Sequence, residues 1–315
     1  MHGKTIHKKM LVLMMVITLI IAGLTTPASA RAESIIAPDG LKRSYTLTIP
    51  ESVRGRPTPV LFVLHGGGGS GKQIHKSLSY DRLARRYGFI VVYPDGLERH
   101  WNDGRNDSKT PFFRKVTPDD VGFLRAIADK LIVNGRADAA RIMITGVSNG
   151  GMMTQRLLCE ASDVFSAGAS IIAGLPAALR QCQPERRRSL LLINGDNDPL
   201  MPWNGGGVGF RRVRGTVLSG PDTFAHWQSV YGCSGPVVST PMRDRNKSDQ
   251  SHPVLMASQN CEQGSKVHMV QIVGGGHNVP GVKKKGRRSK FRKKLLGPTN
   301  MDFDAQRMVV RFLGL

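Results

Sequence analysis

The twelve residues "ITGVSNGGMMTQ", Ile144 to Gln155, decide the reading of this chain. An apolar run ends in Gly-Val-Ser-Asn-Gly, and a helix-compatible run, "GGMMTQRLLCE", follows at once. A G-x-S-x-G pentapeptide between a strand and a helix is the mark of a nucleophile elbow. There the serine takes a strained backbone conformation that lifts its hydroxyl clear of the end of a sheet. Glycines two residues to either side, Gly146 and Gly150, remove side chains that would collide with the neighbouring strand and helix backbones. The pentapeptide alone is a weak signal; its strand–turn–helix setting makes Ser148 a candidate nucleophile.

Outward from the elbow, strands alternate with helices. "PVLFVLHGG", "FIVVYPDG", "RIMITG", "AGASIIAG", "SLLLING" and "KVHMVQIVGGG" are apolar runs of the kind that fill buried parallel strands. "RSYTLTIP" alternates polar and apolar residues, as a half-exposed strand does. Lys72 to Tyr87 reads as one helix closed by Gly88, and a second helix opens with Thr117 as N-cap and Pro118 in its first turn. "PDTFAHWQSVYG" and the terminal "NMDFDAQRMVVRFLGL" supply two more. Gly96 to Val116 reads as a polar surface loop, and Ser234 to Gln263 as an irregular surface excursion. The expectation is an α/β protein with a mostly parallel central sheet and helices on both faces. Its 315 residues, 40% hydrophobic, suit one catalytic domain over residues 31–315.

A serine hydroxyl becomes nucleophilic only when an imidazole removes its proton, and the imidazole needs a carboxylate to orient it. In sheet hydrolases the partners follow in the order Ser, Asp or Glu, His, each just past a strand end. "LLLINGDNDPLMPWNGG" offers Asp196 and Asp198, and "VQIVGGGHNVPG" places His277 in a Gly-rich turn directly after a strand. Acyl transfer also needs donors for the oxyanion. One is the backbone N–H of Asn149; the other comes from the glycine loop "LHGGGGSG", His65 to Gly71. That loop lacks the lysine–serine pair of a phosphate-binding loop. Trp101, in the loop after a strand end, either lines the acyl pocket or packs the loop down.

The first thirty residues carry a basic start, "MHGKTIHKK", a 15-residue apolar run, "MLVLMMVITLIIAGL", and "PASA" with small residues at Ala28 and Ala30. This is the form of a signal peptide cleaved before Arg31, and the apolar run falls short of the roughly 20 residues that span a bilayer. The expectation is a protein that is secreted or periplasmic, with no membrane anchor after cleavage. The four cysteines, Cys159, Cys182, Cys233 and Cys261, then read as two disulfides. Three connectivities are open, of which Cys159–Cys182 with Cys233–Cys261 closes the shortest loops.

Formal net charge is +22, about +19 without residues 1–30, and nine of the twelve residues in "KKKGRRSKFRKK", Lys283 to Lys294, are basic. Such a run seeks polyanions by charge alone. It has one aromatic residue, Phe291, and no nucleic-acid-binding motif, which argues against specific nucleic acid and leaves anionic polymers as candidate partners.

Seven collinear stretches, "LHGGGGS", "YPDG…WNDGR", "DDVGFL", "GVSNGGMM", "NGDNDPLMPWNGG", "GGGHNVPG" and "LGPTNMDFDA", carry a match that runs from about Tyr45 to the C-terminus. Together they resemble the secreted polyhydroxybutyrate depolymerase and feruloyl esterase family of α/β-hydrolases. The resemblance implies an ester hydrolase with Ser148 as nucleophile, His277 as base and Asp198, the aspartate before the proline, as acid. It implies Gly67 as second oxyanion donor, with Gly68 next in line, and no metal or organic cofactor. The chain departs from the family at Asn194, Trp203 and Val279, where a histidine, a tyrosine and a tryptophan are usual. These positions border the site, and Trp203 joins Trp101 as a candidate substrate contact. The expected function is hydrolysis of a carboxylic ester through an acyl-enzyme. The alternatives are a non-catalytic cationic envelope- or polysaccharide-binding protein on a hydrolase scaffold, and a serine peptidase.

Overall fold

The computed structural model describes residues 30–105, 116–210, 213–282 and 295–315. Ten strands form one sheet in the order β1-β2-β4-β3-β5-β6-β7-β12-β11-β10. Its centre comprises β4 (Ile90–Pro94), β3 (Thr58–Leu64), β5 (Ala137–Val147), β6 (Ala167–Ile171), β7 (Ser189–Gly195) and β12 (Val267–Val273). These six run parallel. Antiparallel strands extend both edges: β1 (Ala30–Ile36) and β2 (Lys42–Thr48) on one side, β11 (His252–Ala257) and β10 (Val238–Pro241) on the other. The two-residue strands β8 (Gly206–Gly207) and β9 (Thr216–Val217) pair with each other apart from the main sheet.

The parallel strands are apolar on both faces because both faces are covered. Along β3, Val60, Phe62 and Leu64 enter one core, and Leu61 and Val63 enter the other. The first core is closed by α3 (Asp120–Val133), α4 (Asn149–Glu160) and α5 (Gly220–Val230) through Phe123, Leu157 and Trp227. The second is closed by α1 (Gly71–Ser77), α2 (Asp81–Tyr87) and α6 (Ala305–Leu313) through Ile74, Leu83 and Val309. This is the α/β-hydrolase arrangement the sequence led us to expect. Fully burying side chains of this size contributes roughly 1.5–3 kcal/mol each. Trp227 also satisfies its polar atom while buried, donating from Nε1 to Gln155 Oε1 at 2.9 Å and so tying α5 to α4.

Three local expectations need correction, and one strand comes unannounced. The single helix over Lys72–Tyr87 is two, α1 and α2, because the chain leaves helical geometry at Leu78 and the Tyr80 amide donates to Tyr93 Oη at 2.9 Å. The N-cap of α3 is Asp119 rather than Thr117; its carboxylate accepts from Gly122 N at 2.8 Å. The excursion Ser234–Gln263 holds the edge strands β10 and β11. Strand β1, unforeseen, pairs along β2, where Glu33 accepts from Tyr45 Oη at 2.7 Å.

Disulfides join Cys159 to Cys182 and Cys233 to Cys261. Among the described residues, no helix is long and apolar enough to cross a membrane. The expected signal peptide (all but Ala30) and the basic run 283–294 lie outside the described residues.

Candidate active site

Strand β5 delivers Ser148 to the C-terminal end of the parallel sheet, and α4 begins at the next residue. Ser148 sits at φ 56°, ψ −118°, a region that costs a non-glycine residue of order 1–3 kcal/mol. The surroundings hold it there: its amide donates to the Ile171 carbonyl at 2.9 Å, and its carbonyl accepts from Met152 N at 2.9 Å. The flanking glycines are needed for space. A Cβ on Gly146 would lie 2.1 Å from Gly150 O, and one on Gly150 would lie 2.5 Å from His65 O.

His277 follows β12 and is itself buried. Its Nε2 lies 3.0 Å from Ser148 Oγ, and its Nδ1 lies 2.6 Å from Asp198 Oδ2. The other oxygen of Asp198 accepts from the Leu200 and Met201 amides, both at 2.8 Å, so this carboxylate is fixed from both ends. Asp196, the other acid past β7, turns away. Its oxygens accept from Gly274 N at 2.7 Å and Gln271 Nε2 at 2.9 Å, bracing the turn that precedes His277. The histidine loop is clamped from outside as well: His277 N donates to Leu296 O at 2.6 Å, and Asn278 Nδ2 donates to the carbonyls of Gly297 and Pro298 at 3.0 and 3.2 Å.

The glycine loop after β3 faces the elbow. Ideal Cβ positions at Gly66 and Gly67 lie 3.5 Å from Ser148 Cβ and 3.7 Å from Asn149 Cβ. The Gly68 amide already donates to Arg99 O at 2.8 Å, and the Gly69 amide to Gly66 O at 2.9 Å. The Gly67 and Asn149 amides have no acceptor among the described residues. His65 sets the loop. Because Gly96 N–H donates to its Nε2 at 2.9 Å, Nδ1 carries the proton and donates to Gly66 O at 2.8 Å. Burial pushes the pKa of this imidazole down, in keeping with that neutral tautomer.

The two candidate tryptophan contacts fall elsewhere. Trp101 is 1% exposed; its Nε1 donates to His65 O at 2.8 Å and its ring lies 4.9 Å from the His65 ring. It packs the loop down and does not line the cleft, because the hydrogen bonds of its backbone to Asn149 draw the indole inward. Trp203 lies behind Asp198, with Gly220 packed on its ring, and is likewise absent from the cleft lining. Asn194 accepts from Ala173 N at 2.8 Å and holds the ends of β6 and β7 together. Val279 does line the cleft.

Ser148 and His277 open into a cleft of about 670 Å³ whose apolar wall includes Met152, Ile172, Met201 and Val208. Arg99, His100, Arg105 and Arg214 also line it, and sequence reasoning missed all four. The one available signal was the polar density of Gly96 to Val116, which covers Arg99, His100 and Arg105 but not Arg214. Another cavity, of about 710 Å³, lies near the N-terminal ends of β4 and β5 among Leu47, Ile49, Ile90 and Arg136. Among the described residues its lining contains no serine, cysteine or histidine.

Comparison with known proteins points to carboxylic ester hydrolases. A profile of the prolyl oligopeptidase family, Peptidase_S9, matches residues 83–174, less than a third of the chain. A putative esterase, NocK, from Nocardia uniformis subsp. tsuyamanensis is 27% identical over 93% of this chain and 84% of its own length. Feruloyl esterase B from Piromyces equi is 27% identical over 75% of this chain; the match spans 42% of that protein's length. Among solved structures, an acetyl xylan esterase from Aspergillus awamori superposes with a TM-score of 0.55 at 15% identity, covering 79% of this chain and 95% of the other. At that identity the superposition speaks for the fold.

Proposed function

We propose that this chain, a feruloyl esterase-like α/β-hydrolase, is an exported serine esterase that cleaves acetyl or aromatic acyl esters through an acyl-enzyme. One observation carries the reading: His277 bridges Asp198 and Ser148 at 2.6 and 3.0 Å at the mouth of an apolar-walled cleft. In the first step Ser148 Oγ attacks the ester carbonyl while His277 Nε2 takes the hydroxyl proton. Asp198 holds the Nδ1–H and stabilises the imidazolium. The amides of Asn149 and Gly67 donate to the oxygen that becomes the oxyanion. The alcohol then leaves with the proton from His277. Water, activated by the same nitrogen, releases the acid and restores Ser148. None of these steps requires a metal or an organic cofactor.

The Peptidase_S9 match does not favour a peptidase. It covers the elbow, which many acyl-transfer enzymes share, and contains neither Asp198 nor His277.

The test is hydrolysis of 4-nitrophenyl acetate by the purified protein and its Ser148→Ala variant. Loss of roughly 10⁴-fold or more in kcat is expected. Activity that survives the change overturns the triad, and absence of activity in the native protein returns it to the binding-protein alternative. A panel of methyl ferulate, acetylated xylan and polyhydroxybutyrate then separates the substrate classes. Export is part of the same reading, and a mature N-terminus at Arg31 is expected on sequencing. Arg31 is the second residue of β1 and its guanidinium pairs with Glu33.

A further inference from the structure

The cleft holds a positive charge that ester hydrolysis does not use. Arg99, Arg105 and Arg214 line it, and among the described residues no aspartate or glutamate does. Arg105 is balanced by Asp103, whose two oxygens meet the guanidinium at 2.7–3.0 Å behind the cleft wall. Arg99 and Arg214 are exposed, and the side-chain partner of Arg99 is neutral: Nη2 donates to Gln73 Oε1 at 3.3 Å. Glu98, the acid nearest in sequence, is exposed and lies outside the lining.

The placement of Arg99 is tied to the catalytic loop. Glu98 and Arg99 both adopt positive φ, 48° and 65°, a conformation non-glycine residues keep only where their surroundings fix it. Here the Arg99 carbonyl accepts the Gly68 amide at 2.8 Å, so the glycine loop and the arginine are held by one bond. The field is felt locally: burial first, with Arg214 and Arg105 adding to it, pushes the His100 pKa down. A neutral acetyl or feruloyl ester would make no use of these cations.

We infer that the cleft selects esters that also carry a carboxylate, which lies against Arg99 and Arg214 while the scissile bond sits at Ser148. This rests on the esterase reading above. Planar guanidinium groups match a carboxylate's two oxygens, and a one-signed cleft concentrates anions at its mouth. The substrate class is therefore narrower than short acyl esters: O-acylated uronic acids, O-acylated hydroxybenzoic acids and half-esters of dicarboxylic acids, all of which keep a free carboxylate.

The experiment compares kcat/KM for 4-acetoxybenzoate, an anion, with that for its neutral methyl ester. The substrates differ in leaving-group reactivity, but that difference cancels when the ratio of the two constants is followed from the native enzyme to Arg99→Gln, Arg214→Gln and the double variant. Each single substitution is expected to lower the anionic-to-neutral ratio about three- to tenfold, mainly through KM of the anion, and the double variant to lower it further. Raising salt should lower the native ratio and barely move that of the double variant. A ratio unchanged within twofold in the double variant overturns the inference and leaves the esterase reading intact. So does a ratio that responds to salt equally in both proteins, because the charge responsible then lies elsewhere. Failure of the native protein to cleave either ester overturns both.

Discussion

The side-chain amide of Asn149 donates to Asp103 Oδ2 at 2.6 Å and to the Trp101 carbonyl at 3.0 Å, while its oxygen accepts from the Trp101 amide at 2.8 Å. Asn149, the residue after Ser148, thus meets two surroundings. It lines the cleft, and its side chain clamps the loop that carries Trp101, Asp103 and Arg105. Asp103 passes the constraint on to Arg105, which donates from Nη1 to the Arg214 carbonyl at 2.6 Å. The "WNDGR" stretch is therefore a strut between the elbow and the far wall of the cleft.

Asn149→Ala keeps the backbone donor and removes the strut. A displacement of about 1 Å in a positioning element can cost about 10²-fold in rate, so kcat/KM should fall on that order with the fold retained. Trp101, no longer pinned, should shift its fluorescence to the red. Activity within threefold of native would show that the loop is held without Asn149.

The two acids past β7 separate by substitution. Asp198→Asn retains shape but no longer stabilises the imidazolium or dictates its tautomer, and kcat for 4-nitrophenyl acetate should fall by about 10⁴-fold. Asp196→Asn loosens the Gly274 turn and should cost far less, with its effect falling on thermal stability. Equal losses in the two variants would contradict the assignment of Asp198.

Acid should weaken the protein in two stages. Burial holds the folded-state pKa of His65 below 6.5, and His226 and His268 are shifted the same way for the same reason. Above pH 6.5 neither state binds these protons. Below it the unfolded chain binds them first, so stability falls as pH drops from 6.5 toward the lowered folded values. For Glu33, burial pushes the carboxyl up, but hydrogen bonds from Tyr45, Arg31 and Lys130 outweigh it and lower the pKa from 4.5 to about 2. Its contribution is complete above pH 4.5 and is lost between there and about pH 2. Urea midpoints should hold level from pH 8 to 7 and decline below 6.5. His65→Asn should be less stable at neutral pH and shallower in that decline, and Glu33→Gln should blunt the fall below 4.5.

What sequence could reveal followed from local rules. The elbow was legible because Gly146 and Gly150 answer to contacts within a few residues and one neighbouring strand. His277 and the two acids were legible because the order of strands fixes where each loop emerges. Choosing between Asp196 and Asp198 was beyond local pattern, since both follow β7 and the difference lies in which one meets the Leu200 and Met201 amides. Trp101 was ambiguous because exposure in a loop depends on what the loop packs against, here His65 and Asn149. The arginines of the cleft were hidden for the same reason: nothing near Arg99 in sequence points to Arg214. Edge strands β10 and β11 were missed because their residues are largely exposed or half-buried and show no clean apolar alternation.

The stretch "DDVGFL" at the head of α3 makes the last case. Asp120 is fully buried and donates nothing; it accepts from Arg43 Nη2 at 2.6 Å and from Asn102 N at 2.7 Å. Arg43 is itself 3% exposed, lies 4.2 Å over the Phe123 ring and donates to the Asp95 carbonyl at 3.1 Å. Two charges removed from water cost more than they return unless each stays paired, so the pair is more sensitive to loss of one member than of both. Asp120→Asn leaves a guanidinium buried without its counter-charge and should destabilise the fold by about 3–5 kcal/mol. Arg43→Met with Asp120→Leu should cost markedly less, because no charge is stranded. The double variant also frees the Asn102 amide, and through it the Trp101–Arg105 strut. It should therefore show kcat/KM falling while the urea midpoint recovers relative to Asp120→Asn. If instead the double variant is as unstable as the single one, the pair is a net source of stability. If its activity is native-like, the strut does not depend on Asp120.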